Sequence, residues 1–90
     1  MFIVNAREGQ GIQIGDRVIR ALSVIRPGLV SVSIDGEPDS ILVAWDRKLT
    51  ILPEVAVTVD RAVCYSQRIK FFFDAPRSVR IRELPYEPVE

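Results

Sequence analysis

Turn-forming residues cut this chain into short pieces, and that punctuation limits what it can fold into. Breaks fall at Gly15-Asp16, Pro27-Gly28, Asp35-Gly36-Glu37-Pro38, Asp46-Arg47-Lys48, Pro53 and Asp74-Ala75-Pro76. These residues either tolerate a left-handed backbone or preset φ for a turn. The pieces between them are dominated by β-branched residues: Val and Ile number 22, against 12 for Ala and Leu. Such side chains pack well on a pleated surface and lose rotamer freedom in a helix. No segment keeps a helical apolar stripe for more than about two turns. The pattern predicts strands near 2–6, 11–14, 17–25, 29–35, 40–45, 49–52, 54–60, 67–73 and 78–83. Short strands spaced this closely make an all-β barrel or sandwich of about nine strands the expected fold.

Length and charge narrow the functional classes. Ninety residues suffice for one small domain with a thin core, expected over 1–84. Residues 85–90 hold two prolines and two glutamates and read as a loose acidic tail. The 12 basic and 12 acidic residues balance, so no global basic signal marks a nucleic-acid binder. With no His and a single Cys, Cys/His zinc sites, Ser-His-Asp triads and an intrachain disulfide are excluded. Cys64, in a strand-like run, is expected as a small core residue. No apolar run approaches the roughly 18 residues of a membrane span. Met1 leads into a strand with no basic region before it, so no signal peptide is expected and a cytoplasmic protein is the default. Asp16, Asp35 and Asp74 read as turn residues rather than paired catalytic acids. Gly9 and Gly11 read as a hairpin loop, because neither a Lys-Ser/Thr pair nor a helix follows. No catalytic residues, cofactor or metal are expected.

An internal repeat adds a second constraint. Residues 29–43, Leu-Val-Ser-Val-Ser-Ile-Asp-Gly-Glu-Pro-Asp-Ser-Ile-Leu-Val, compare with 68–81, Arg-Ile-Lys-Phe-Phe-Phe-Asp-Ala-Pro-Arg-Ser-Val-Arg-Ile. Each is an apolar strand, an Asp, a small residue, a Pro, a Ser and a second apolar strand, with one residue of slack near Glu37. Upstream, 18–22 corresponds loosely to 55–59, and Ile12-Gln13-Ile14 to Leu49-Thr50-Ile51. The repeats are read as 1–36 and 41–84.

The opening run Gly9-Gln10-Gly11-Ile12-Gln13-Ile14-Gly15-Asp16, following Phe2-Ile3-Val4, resembles the amino terminus of the carbon storage regulator (CsrA-like) family of small bacterial messenger-RNA binders. Asp74-Ala75-Pro76 resembles that family's turn between its fourth and fifth strands. The resemblance implies five strands per chain and two chains interlocked so that each sheet mixes strands from both. Together with the repeat, it implies that this chain is a fused pseudo-dimer with one strand lost or shared. Residues 41–45 fit either as strand five of the first repeat or as strand one of the second. The family's C-terminal helix is not expected, because Pro85 and Pro88 block it.

The resemblance further implies an RNA-binding edge built from the first strand of one half and the fifth strand of the other. Where the family carries a Leu and two adjacent arginines, this chain has Val4, Ala6 and Arg7. Where it carries an apolar residue and then an arginine, this chain has Ile81 and Glu83; Arg82 substitutes only if the strand slips by one, which flips its face. Val4 and Ile81 would pack on bases, Arg7 and Arg82 would pair with phosphates or base edges, and Arg77 and Arg80 would hold the backbone. Independently, 61–82 holds six basic residues and one acid. If 67–73 and 78–83 lie side by side, they form a basic stripe with Phe72 exposed, suited to phosphates and an unpaired base. The expected function is RNA-binding translational regulation through GGA-containing messenger or small regulatory RNA, without catalysis. The alternative is a degenerate member that lost RNA binding and acts through protein contacts, including with family members. Trp45, read as core anchor or exposed contact, and one ring of Phe71-Phe72-Phe73 would serve there. The chain is expected as a monomeric pseudo-dimer or a homodimer.

Overall fold

The computed structural model describes residues 1–65 and 68–86. Nine strands form where the punctuation predicts them: β1 (Phe2–Ala6), β2 (Gly11–Ile14), β3 (Arg17–Arg26), β4 (Leu29–Ile34), β5 (Ile41–Ala44), β6 (Leu49–Leu52), β7 (Val55–Val59), β8 (Ile69–Asp74) and β9 (Ile81–Glu83). Gln67, expected to open the eighth strand, lies outside the described residues, as do 87–90 of the expected tail. The last strand begins later than expected, because the Val79 N–H donates to the Pro76 carbonyl at 3.1 Å and closes a turn there. Gly15 takes a positive φ of 59° in the β2–β3 turn, the conformation that a tight hairpin reserves for glycine.

The strands form two antiparallel sheets, one ordered β1-β8-β7-β6 and the other β5-β4-β3-β2-β9. Alternation decides which side chains face the space between them. Ile69, Phe71 and Phe73 of β8 are buried, while Lys70 and Phe72 between them face outward. Val55, Val57 and Val59 do the same on β7, as do Ile12 and Ile14 on β2. The two phenylalanine rings lie 6.2 Å apart at the centre of this core, within the range where aromatic pairs attract beyond simple burial.

The two sheets are versions of one plan. Raising each strand number of the run β4-β3-β2 by four gives β8-β7-β6, the same run in the other sheet. At the near end, β1 pairs with β8 and β5 pairs with β4. Each half thus sends its first strand to the fourth strand of the other half. The strand order of β2–β4 thus recurs in β6–β8, and the two halves exchange their first strands. Residues 41–44 take the role of a first strand, which resolves the two placements left open above. Only the far end differs: β9 lies against β2, and among the described residues nothing lies against the corresponding edge of β6.

The condition for a basic stripe is not met, and one sequence expectation fails. β8 and β9 do not lie side by side; they belong to different sheets, so no continuous basic stripe forms from them. The shared Asp–small–Pro–Ser punctuation makes a hairpin after β4 but a crossover between sheets after β8. Cys64 is exposed, because the strand before it ends at Val59 and the buried residue of the loop is its neighbour Val63. Trp45 is 45% exposed and lies over Gly28, whose positive φ of 77° and missing Cβ leave room for the ring. A Cβ there would lie 2.5 Å from the Trp45 Cδ1. The Arg61 guanidinium covers the indole at 4.7 Å.

Candidate nucleic-acid interface

The first strand of the first half meets the last strand of the second half where the sheet edges come together, β1 against β9. The loop Arg7–Gln10 ties that corner. The Arg7 N–H donates to Gln10 Oε1 at 2.9 Å, and the Gln10 N–H donates to the Arg7 carbonyl at 2.9 Å. Gln10 Nε2 then donates to the Leu84 carbonyl at 3.0 Å, just beyond β9. Gly9, at φ 88°, lets the loop turn so that its N–H reaches the Ala21 carbonyl at 2.7 Å. Arg20 Nη1 donates to the Gly9 carbonyl at 2.8 Å, which brings a further cation beside the loop.

The Arg7 guanidinium sits 5.0 Å from the centre of the Tyr86 ring, within cation–π range. Asn5, Ala6, Arg7, Gln10, Glu83 and Tyr86 line an open hollow of about 370 Å³ there. On the outer face of the β2 sheet, Arg80 and Arg82 gather with Gln13 and Gly15 around a second hollow of about 270 Å³. Arg82 donates from Nε and Nη2 to Gln13 Oε1 at 3.2 and 2.9 Å. Gln13 Nε2 donates onward to the Gly15 carbonyl at 3.2 Å, and the Gly15 N–H to the Arg80 carbonyl at 2.9 Å. These bonds tie the exposed Arg82 side chain to Gln13 on the neighbouring strand.

The register of β9 is fixed: Ile14 faces Ile81, Gln13 faces Arg82 and Ile12 faces Glu83. There is no slip by one. Of the predicted residues, the structure brings Arg80 and Arg82 together, and sets Arg7 across the corner with Glu83 and Tyr86. Arg77 is exposed in the turn before β9 and lines neither hollow. Val4 requires correction: it is 7% exposed and faces Phe71 across the β1–β8 ladder, so it belongs to the core and offers nothing to a base. Ala6 is buried by the same alternation. Ile81 is half-buried and packs against the core, which leaves only its edge to a ligand. The exposed apolar residue of β1 is Ile3, on the opposite face.

Tyr86 and Arg20 were missed by the sequence reading. Tyr86 stands among prolines in a segment read as tail, and Arg20 sits mid-strand without a neighbouring charge; neither carries a local signal of the corner it reaches. No protein-family model matches this chain, and neither the curated proteins nor the solved structures contain a match.

Proposed function

We propose that this chain is an RNA-binding regulator of translation of the carbon storage regulator type, gripping a single-stranded or hairpin-loop segment of messenger RNA at the β1–β9 corner. One observation carries the reading: the first strand of one half and the last strand of the other meet, with the Arg7 guanidinium seated on Tyr86 beside them. A cation already stacked on an aromatic ring is a platform for an unpaired base, since a base can stack on Tyr86 or on the guanidinium plane. Arg80, Arg82 and Arg20 lie on the adjoining outer face, where the phosphates of the same strand would run. A leader segment held this way is closed to the ribosome. The interlocked strand exchange between halves supports the same reading, because it is the architecture that the sequence resemblance implies.

The fusion keeps one such corner. Its counterpart would need a strand beside β6 next to β5, and none of the described residues supplies it. The reading therefore predicts one RNA site per chain. Titration of a fluorescent hairpin displaying GGA in its loop should saturate at one RNA per protein, with Arg7→Ala costing about 1–3 kcal/mol. Arg80→Ala should lower the salt slope of log K by about one. Binding that is indifferent to both changes rejects the assignment.

A second reading is favoured by a specific observation, the carboxylate of Glu83 lining the same hollow as Arg7, which opposes a phosphate there. In that reading the fold is retained and the partner is a protein. Pull-down with and without ribonuclease separates the two: an RNA-bridged partner is lost on digestion, a protein partner stays.

A further inference from the structure

The pseudo-symmetry of the two sheets shows where a strand is missing. β9 covers the outer edge of β2; the outer edge of β6, its counterpart, is bare among the described residues. Burial records the difference. Ile12 and Ile14, beneath β9, are 0% exposed, whereas the matching Ile51 is 9% exposed and Leu49 only half-buried. A bare edge presents unpaired N–H and C=O groups and templates the addition of another strand. Natural edges are commonly blunted by a lysine projecting past them. Here Lys48, just before β6, instead reaches across the exposed face of the sheet: its Nζ lies 3.1 Å from Asp74 Oδ2 on β8, beyond β7, and both side chains are exposed. β6 shifts register against β7 between Thr50 and Leu52, but the strand itself carries no charged residue to close its edge.

We propose that the free edge of β6 docks an extended segment of a partner protein in antiparallel register. That segment would have the pattern of β9: an apolar residue opposite Ile51, a basic one opposite Thr50 and a polar one opposite Leu49. The pattern comes from the filled edge. There Ile81 faces Ile14 and packs on the core, Arg82 faces Gln13 and hydrogen-bonds to it, and Glu83 faces Ile12. Thr50 stands where Gln13 stands in the repeat and is exposed, so its hydroxyl is free to accept from a basic side chain. Pairing of β6 with β6 of a second copy fits less well. Aligning Thr50 with Thr50 sets the two threonines against each other, with no basic side chain opposite either, and the run ends at Pro53, which cannot donate to a ladder.

The test uses the full chain, labelled with nitrogen-15, and a synthetic capped peptide of sequence Arg-Ser-Val-Arg-Ile-Arg-Glu-Leu, which copies residues 77–84. The amide signals of Leu49–Leu52 should shift saturably, and a scrambled peptide should leave them in place. Thr50→Glu should tighten the peptide about two- to fivefold and Thr50→Arg should weaken it similarly, since opposite charges facing across strands attract and like charges repel. Both substitutions are at an exposed position, and unchanged circular dichroism confirms folding. Absence of a saturable shift at β6 overturns the proposal, as do shifts at β2, which mean exchange with β9. Broadening of the β6 signals with protein concentration alone also overturns it, because the occupant is then a second copy. Arg7 and Tyr86 lie at a different corner, so hairpin RNA titrated into the same samples reports separately on the RNA reading.

Discussion

At the residue scale, a few positions carry consequences larger than their size. Gly28 has a φ of 77° and backs directly onto Trp45. An alanine there must enter a left-handed conformation, at about 1–2 kcal/mol, and displace the indole as well. Gly28→Ala is expected to lower the melting temperature by at least about 4–8 °C, with a shift in Trp45 fluorescence as the ring leaves Arg61. Phe71 is wholly buried at the centre of the core, and Phe71→Ala should cost about 3–5 kcal/mol by denaturant unfolding. The sequence shows why one ring of Phe71-Phe72-Phe73 must differ from the others, since alternation cannot send all three inward. It cannot show that Cys64 is exposed, because that depends on where β7 stops and on Val63 taking the buried place in the loop.

At the scale of elements, β9 is the informative strand. Its register places Ile81 against the core and Arg82 on the outer face. Ile81→Asp should therefore lower stability by about 1–3 kcal/mol, the cost of pushing an unpartnered polar group toward the core. Arg82→Asp should change stability by less than about 1 kcal/mol, because exposed charge contacts are worth little. Urea unfolding of the two variants checks this, and the opposite ranking would mean a strand slipped by one residue. Strand positions were legible because β-branched runs and turn residues are local signals. Strand partners were not. The same Asp–small–Pro–Ser phrase returns β5 alongside β4 yet sends β9 to the other sheet, because both edges of β8 are taken by β1 and β7. The continuous basic stripe, which required β8 and β9 to lie together, does not form for that reason.

At the scale of the whole molecule, both sheets draw strands from both halves of a single chain, so the interlocking needs no second chain. Joining the halves replaces an association by an internal closure, whose entropic cost grows only slowly with length. The radius of gyration is 11.9 Å, the value of about 12 Å expected for one compact body of this length rather than two lobes. Thermal unfolding should then have a midpoint independent of protein concentration, unlike an obligate dimer; differential scanning calorimetry over a hundredfold dilution checks it. The repeat was visible in the sequence. So was its incompleteness, read as one strand lost or shared; which strand was not, since 41–45 could be read as a fifth strand or a first, and only its pairing with β4 decides. The candidate site was legible in part. Arg80 and Arg82 were found together and Arg7 lies at the corner, but Val4 was misassigned, and Tyr86 is brought there by the path of the chain after β9.

The measurement that bears most directly on this account is the titration of the full chain with a fluorescent hairpin displaying GGA in its loop, against a scrambled-loop hairpin, at two salt concentrations. The account predicts loop-dependent binding at one RNA per chain, weakened by Arg7→Ala and by Tyr86→Ala. No binding, or weak binding equal for both hairpins and lost at moderate salt, would contradict it and leave a fold retained for a protein partner.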